Sequence, residues 1–280
     1  MSEQSSGQGE SYVSQLIDTY SFQLTQLYPD NTRYDAFLRR AESFTQSDEN
    51  LPKILSVQNG ELAYLSESYL PPQPDPDKRS LAFVLGNPAP ESIAVKAMYA
   101  YEASGKRHHR FWNVLQKTGI LQFDAEPTTL DPHEKMARLF SNQYTSPFNI
   151  YIIPFYSLAS PPGGPWNGVA GVRRLFAEAF PLVEQYDSAR VLNIFNTHFH
   201  DGDSVLTFQK DAYVALQQHA EHAQPYDYRQ LLTEPLISDL RTPRGALLTV
   251  GCLLPTRLLY SAQTGGVLSR LAQQGSINQE

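Results

Sequence analysis

Short apolar runs recur along the chain after residue 80 and predict buried strands. They cover residues 81–85, 149–155, 205–208 and 247–254. Between them, apolar residues with helical spacing predict helices at 110–117, 172–185, 209–223 and 267–273, whereas 191–195 fits either a strand or the end of a helical region. Buried strands that alternate with helices are typical of a parallel sheet covered on both faces. We therefore predict an α/β protein of three α/β/α layers, with a central, mainly parallel four-stranded sheet.

The first 79 residues have a different pattern, which predicts a helical N-terminal extension. Apolar residues share one helical face over 12–28, and a second helix is expected within 28–44. Asn59-Gly60 is a strong hairpin signal inside 54–66. The proline-rich segment 68–80 separates this part from the rest. The predicted domains are an extension over 1–79, whose first ten residues are expected to be disordered, and an α/β domain over 80–280.

Composition narrows the class of protein. The longest apolar runs are far short of the 18 residues or so that a membrane span requires, and the first ten residues do not have the pattern of a secretory signal. Cys252 is the single cysteine, which excludes disulfide frameworks and cysteine-rich zinc sites. We expect a cytoplasmic, monomeric protein with no membrane association.

The net charge of −7 argues weakly against a nucleic-acid partner, but the charges are unevenly distributed. Residues 1–79 carry twelve acidic and six basic side chains, whereas the remainder is nearly neutral. Within 96–117, five basic residues stand against Glu102 alone. The five are Lys96, Lys106, Arg107, Arg110 and Lys117. Such a patch fits phosphate contacts, although an ordinary solvated face is the alternative.

Three segments, in order, resemble the signatures of the uracil-DNA glycosylase superfamily. The first is "FVLGNPAPES" with "MYAYE" and "HHRFWNVLQKTGI", the second is "SVLTFQKDAYVAL", and the third is "LLTVGCLLPTRLLYS". The match covers about residues 81–270 and is closest to the branches that act on hypoxanthine and on mismatched uracil. It implies DNA as the partner, no cofactor, and hydrolysis of the bond between a base and its sugar.

The resemblance implies a set of site residues around a base flipped out of the DNA stack. Asn87 would position the attacking water, although an Asx-turn is the alternative for its amide. Its neighbours Gly86 and Pro88 would contribute to binding the base. Tyr99 or Tyr101 would stack on the base, unless each is a core tyrosine. These roles are expected at the carboxyl ends of the parallel strands, where α/β sheets bind ligands.

Further positions complete the set that the resemblance implies. His109 and Tyr156 would line the base pocket, and Thr256 would have a catalytic role in the last loop. Phe111 and Trp112 are expected in the core. Phosphate contacts are assigned to a group of basic residues, namely Lys106, Arg107, Arg110 and Arg257.

Departures from the superfamily pattern predict an unusual base. The last loop lacks a histidine, Gln209 stands where glycine is usual, and the end of the second strand offers Phe155 and Tyr156 instead of an asparagine. We expect a monofunctional DNA glycosylase that releases a base other than uracil and acts in defence against phage. The expected base is either hypoxanthine or a hypermodified phage pyrimidine, such as glucosylated hydroxymethylcytosine. The alternatives are a uracil-DNA glycosylase of base-excision repair and a non-catalytic DNA-binding relative.

The segment "NTHFHDGDS" leaves a different class open. His198 and His200 have the spacing of a zinc-binding loop, but Asp203 stands where a further histidine would complete it. A metal-dependent hydrolase is therefore an alternative, and a polar loop that caps the following strand is the simpler interpretation. We assign no metal site.

Overall fold

The computed structural model describes residues 12–100, 109–254 and 262–274. The first ten residues, which we expected to be disordered, lie outside these ranges. Strands in the described ranges are β1 (Ile17–Gln23), β2 (Leu55–Gln58), β3 (Glu61–Glu67), β4 (Ser80–Leu85), β5 (Asn149–Pro154), β6 (Ser204–Thr207), β7 (Ala220–His222), β8 (Leu236–Arg241) and β9 (Leu247–Cys252).

Helices in the same ranges are α1 (Val13–Leu16), α2 (Leu24–Leu27), α3 (Asn31–Thr45), α4 (Leu51–Ile54), α5 (Pro90–Ala94), α6 (Arg110–Thr118), α7 (Pro132–Phe140), α8 (Gly168–Phe176), α9 (Phe180–His198), α10 (Lys210–Gln217), α11 (Tyr228–Leu231) and α12 (Ala262–Gln274). Short 3-10 helices, Gly164–Trp166 and Ala177–Ala179, flank α8. The ambiguous run 191–195 belongs to α9. None of the helices described has the length and apolar character needed to cross a membrane.

The central sheet has the strand order β5-β4-β6-β9-β8-β7, which confirms the α/β class but corrects the predicted strand number. The four predicted strands are its parallel part, β5, β4, β6 and β9. Two antiparallel strands, β8 and β7, extend it to a mixed sheet of six. We missed β7 because α10 ends at Gln217, six residues before the predicted helix does, and the three residues of β7 are too polar to look like a strand.

Apolar clusters on both faces of this sheet explain why β4 is buried along its whole length. On one face, Ala82 and Val84 pack with apolar residues of α8, α9 and α10. On the other face, Leu81 and Phe83 pack with residues of α6, α7 and α12. The sheet is therefore the middle layer between two groups of helices.

The predicted helix over 12–28 is wrong. Only the short helices α1 (Val13–Leu16) and α2 (Leu24–Leu27) form there, and between them the chain runs as β1, which pairs antiparallel with β3. Tyr20 lies opposite Tyr64, with ring centroids 5.8 Å apart. The segment "IDTYSF" is rich in β-branched and aromatic residues, and this cross-strand packing outweighs the helical spacing of its apolar positions.

Two other predictions for this part, the hairpin and the second helix, are confirmed. Asn59 and Gly60 form the β2–β3 turn, and both have positive φ (52° and 77°), as a two-residue hairpin of this type requires. Helix α3 begins after Asp30, whose carboxylate accepts a 3.1 Å hydrogen bond from the backbone N–H of Arg33. The β1-β3-β2 sheet makes the extension a mixed α and β unit instead of a helical one.

This N-terminal unit shares its apolar core with the α/β part. Phe37 stacks on Phe176 of α8, and the Tyr28 hydroxyl donates a 2.7 Å hydrogen bond to the Phe176 carbonyl. Tyr69 pairs with Ile152 through two backbone hydrogen bonds of 2.8 and 2.9 Å along the outer side of β5. The two parts are therefore continuous in packing and in backbone hydrogen bonding.

Candidate functional site

The carboxyl ends of β4, β6 and β9 meet at one edge of the sheet. Val84 pairs with Thr207, and Thr207 pairs with Cys252, so the three strands end nearly level. After β4 the chain continues to the face with α6, and after β6 it continues to the face with α10. Neighbouring strands whose connections leave to opposite faces open a crevice between them, the usual ligand position in such sheets.

Gly86 and Gln209 are in direct contact in this crevice. They follow β4 and β6, and a Cβ atom on Gly86 would overlap the side-chain amide of Gln209. Glycine at position 86 therefore lets the glutamine amide lie against the backbone. The sequence marked Gln209 only as a departure from the superfamily pattern, whereas the structure shows its amide in the crevice against Gly86.

The Asn87 side chain is half-buried and held in one orientation. Its Nδ2 donates to Ser160 Oγ at 2.8 Å and lies 3.3 Å from the carbonyl oxygens of Pro88 and Leu158. Because three acceptors surround this atom, it must be the amino group, and Oδ1 must point away from them. Asn87 Oδ1 lies toward Gly168, at the start of α8, 4.0 Å from where a Gly168 Cβ would be. The predicted water-positioning role requires a hydrogen-bond acceptor on a side chain that is held in one orientation.

The loop after β5 holds the Asn87 loop in place through backbone hydrogen bonds. Phe155 N donates to Leu85 O at 2.7 Å, and Tyr156 N donates to Gly86 O at 2.8 Å. Ser160 N reaches Pro88 O at 3.3 Å, and its hydroxyl donates to Gly168 O at 2.9 Å. Gly86 and Pro88 thus contribute carbonyl groups to the frame of the site.

Tyr99 lies in an aromatic cluster that reaches this edge from the other face. Its ring is 4.4 Å from Phe111 in a stacked arrangement and 4.6 Å from His109. Phe111 contacts Phe83 of β4, and Phe83 stacks on Phe208, the residue before Gln209. Tyr99 is half-buried and burial is the main cause of its raised pKa, so its hydroxyl stays protonated.

Helix α6 begins where the sequence predicted. His109 is its N-cap, and His109 Nδ1 accepts a 3.2 Å hydrogen bond from Phe111 N. Phe111 and Trp112 are fully buried, which confirms them as core residues. Trp112 Nε1 donates to the Tyr99 carbonyl at 3.2 Å, so the helix also fixes the backbone of Tyr99. Arg110 is exposed in the first turn of α6.

Tyr156 lies in the core next to the site. It is fully buried, its ring contacts Phe155 and Phe180, and its hydroxyl donates to Glu184 Oε1 at 2.5 Å. In this position its backbone N–H, bonded to Gly86, is its link to the Asn87 loop. The predicted role of its ring at the base remains a prediction.

Five predicted site residues lie outside the described residues. They are Tyr101, Lys106, Arg107, Thr256 and Arg257. The strand that leads to the last two, β9, ends beside β6, and Leu253 N donates to Thr207 O at 2.9 Å. Their predicted roles therefore rest on the sequence alone.

Glu67 is a titratable residue near the site that the sequence interpretation overlooked. It ends β3, is 4% exposed, and Glu67 Oε1 accepts a 2.9 Å hydrogen bond from the hydroxyl of Ser92 in α5. Burial raises the pKa of Glu67 to about 8. A signal was present, since "SES" places three polar residues together at the end of an alternating strand.

The histidine loop lies at the opposite edge of the sheet. Asp203 Oδ1 accepts from Ser80 N and its Oδ2 from His200 N, both at 2.8 Å, so this carboxylate joins the amino ends of β4 and β6. His200 is exposed, and the ring of His198 packs near Tyr151. Among the described residues, no group of three or more His, Cys, Asp or Glu side chains could hold a metal ion. The geometry is that of a strand-capping loop.

No protein-family model matches this sequence, and no curated protein matches it. A functional assignment therefore depends on the geometry around Gly86, Asn87 and Gln209, together with the three segments that carry the superfamily resemblance.

Proposed function

We propose that the protein is a monofunctional DNA glycosylase, which flips a modified base out of DNA and hydrolyses its bond to the sugar. The observation that carries the proposal is the meeting of the resembling segments at one edge. The loop with Asn87 follows β4, Gln209 follows β6, and the next strand in the sheet, β9, leads to Thr256. Segments far apart in sequence meet where α/β sheets bind ligands.

Asn87 is the residue we assign to the attacking water. Its Nδ2 is occupied by Ser160 and neighbouring carbonyl groups, which leaves Oδ1 to accept a hydrogen bond from water. A neutral amide orients water without itself taking a proton. As the water oxygen bonds to C1′ of the sugar, the bond to the base breaks, the base leaves with the electron pair, and the proton lost by the water passes to the departing base or to solvent. Positioning of this kind, with stabilisation of the charge on the leaving base, is sufficient for a reaction that needs no cofactor.

Tyr99 is assigned to stacking on the flipped base. Phe111 backs its ring at 4.4 Å, and a rigid aromatic platform reduces the entropy cost of binding a planar ring. Base–aromatic stacking contributes about 1–3 kcal/mol per base. His109, 4.6 Å from Tyr99, is the next residue along this wall.

The preference for a base other than uracil rests on where amide groups stand. At the end of β5, Phe155 and Tyr156 are buried and offer no side-chain amide to the pocket. Gln209, which follows β6 on the far side of β4, presents its amide in the crevice instead. Hydrogen-bonding side chains placed on a different side of the base pocket select a base with a different hydrogen-bonding edge. We propose a hypermodified phage pyrimidine or hypoxanthine as the base, and defence against phage DNA as the setting.

The test is single-turnover base release from matched duplexes that contain uracil, hypoxanthine, hydroxymethylcytosine or glucosylated hydroxymethylcytosine. We expect abasic sites from one of the last three at least tenfold faster than from uracil, which is about 1.4 kcal/mol in barrier. Fastest release from uracil would instead make the protein a repair enzyme. DNA binding without release from any duplex would support a non-catalytic relative and refute the proposal.

A further inference from the structure

Glu67 lies beneath the segment that joins Asn87 to Tyr99. Its carboxyl group is almost completely enclosed, and among the described residues its Oε2 has no hydrogen-bond partner. Ser66 and Ser68 on either side are buried as well. An ionised carboxylate in such a place would lose its hydration without gaining a partner for one oxygen, which is strongly unfavourable.

The hydrogen bonds around Ser92 also favour a protonated Glu67. The Ser92 hydroxyl is 2.9 Å from Glu67 Oε1 and 2.9 Å from the carbonyl oxygen of Ala89. A hydroxyl has one proton and cannot donate fully to both acceptors. If Glu67 holds a proton, it donates to Ser92 Oγ, and Ser92 then donates to Ala89 O. Both contacts are satisfied, and α5 is tied at its first turn to the end of β3.

Tyr99 is the titratable group that faces Glu67 from the site. Burial first, and then the charge of an ionised Glu67, raise the pKa of Tyr99, so the two acidic groups oppose each other's ionisation. In the described part of the chain, no cation lowers the pKa of Glu67, and only the hydrogen bond from Ser92 opposes the effect of burial. These buried surroundings therefore favour the state in which Glu67 and Tyr99 are both protonated and neutral.

The backbone conformation between α5 and Tyr99 is maintained by the packing around it. Lys96 and Tyr99 have φ of 58° and 49°, in the left-handed region that residues other than glycine seldom adopt. Such conformations persist only where packing holds them. Ser92 and Tyr99, at the two ends of this stretch, both have Glu67 as a neighbour.

We propose that Glu67 is a positioning residue of the site, supplied by the N-terminal unit, and that the site is competent only while Glu67 is protonated. This rests on the proposed function, because the groups it positions are Tyr99 and the helix that follows Asn87. When Glu67 loses its proton, the charge must be hydrated, the contact with Ser92 reorganises, and the segment 89–100 loosens.

The first experiment measures this loosening without reference to activity. Hydrogen exchange of peptides covering 89–100, corrected for intrinsic exchange, is followed from pH 6 to pH 10 in the wild type and in Glu67→Gln. We expect wild-type protection to fall about tenfold or more above pH ~8 and that of Glu67→Gln to stay constant, because glutamine keeps the shape but cannot ionise. Glu49→Gln, at an exposed position, should follow the wild type. Equal pH dependence in the wild type and Glu67→Gln overturns the proposal.

The second experiment measures base release over the same pH range, on the duplex that the wild type processes fastest. Release should decline above pH ~8 in the wild type and not in Glu67→Gln. If no duplex is processed, the proposed function fails while the exchange result still decides the role of Glu67. If Glu67→Gln does not fold, infrared titration of the wild type decides instead. A buried carboxylic-acid band lost near pH 8 supports the proposal, and its absence at pH 7 refutes it.

Discussion

The side-chain amide of Asn87 donates a 2.8 Å hydrogen bond to the hydroxyl of Ser160, 73 residues later in the chain. This bond decides which way the amide faces, since the reverse orientation would set Asn87 Oδ1 against the carbonyl oxygens of Pro88 and Leu158. Ser160 is itself fixed, because its hydroxyl donates to Gly168 O at 2.9 Å. The loop after β5 therefore orients the side chain that follows β4.

Asn87→Ala is expected to lower the single-turnover rate of base release by roughly 100-fold or more, because the attacking water loses its acceptor. DNA affinity and thermal stability should remain close to those of the wild type. Asn193→Ala, on an exposed face of α9, is the matched control and should be unchanged. Wild-type rates in Asn87→Ala would leave that side chain with a purely structural role.

Gly86→Ala is expected to change base preference through Gln209 and to cost little stability. The new methyl group overlaps the free end of the glutamine side chain, which can move aside. Gln209→Ala should shift the ratio of release rates between the preferred base and uracil in the same direction. In the double variant the two effects should not add, since both act on one amide. Additive effects would mean that the two residues act independently.

Glu67 should make the protein less stable as pH rises. Its pKa is raised from the usual 4.5 to about 8 on folding, so the native state retains a proton that the unfolded chain loses between these values. The contribution of Glu67 to the free energy of unfolding is complete below pH ~4.5 and is lost as pH rises through about 8. The free energy of unfolding falls in this window by at most about 1.4 kcal/mol per pH unit. Urea unfolding of Glu67→Gln should lack this slope, and Glu49→Gln should keep it.

Lys135 acts in a different pH window and in the opposite direction. Burial lowers the pKa of Lys135 to about 8 from its usual 10.5, so the unfolded chain binds the extra proton between these values. Stability from this group therefore increases with pH above ~8. Unfolding data for Glu67→Gln should retain this second slope, which separates the two groups. A slope between pH 5 and 8 that persists in Glu67→Gln would assign it to other residues.

Chelation with EDTA should leave base release unchanged, and so should His200→Ala. Asp203→Ala, in contrast, should destabilise the fold by about 1–3 kcal/mol, because the backbone N–H groups of Ser80 and His200 lose their acceptor. Its remaining folded fraction should still release base. Loss of activity on chelation, restored by zinc, would instead make the His198 and His200 loop a metal site.

Lys106→Glu combined with Arg107→Glu is expected to weaken DNA binding and to flatten its salt dependence. Each phosphate contact contributes roughly 0.9 to the slope of log affinity against log salt. The two residues lie outside the described part of the chain, so this prediction rests on the basic cluster in the sequence. The control is Lys78→Glu, on the connector before β4, and an unchanged slope in the double variant would place the cluster away from DNA.

The sequence predicted the parallel part of the sheet because β4, β5 and β6 are buried along their whole length and β9 is buried over its last three residues, so that all four appear as apolar runs. It did not predict β8, whose inward and outward residues alternate, or β1, whose spacing fits a helix as well as a strand. Only pairing with β3 decides the state of β1, and pairing over some forty residues is not visible in a local pattern.

For the site, a motif predicted Asn87 and Tyr99, but the contacts around these two residues became known only from the fold. Gln209 gained a role only when Gly86 was found against it. Glu67 was missed because it belongs to the N-terminal unit, which the superfamily resemblance does not cover. Residues brought together by packing between distant segments leave no spacing signature in the sequence.

The pairing of Tyr69 with Ile152 has a consequence for association between molecules. An exposed edge strand offers unpaired N–H and C=O groups to any extended chain, and β5 would be such an edge if the segment around Tyr69 were removed. At the far side, the sheet ends in β7, which is three residues long and includes Glu221 and His222. A fragment that starts at residue 80 would therefore expose an apolar edge strand that can pair with a second copy. Aggregation, before any loss of activity, would be the first effect observed.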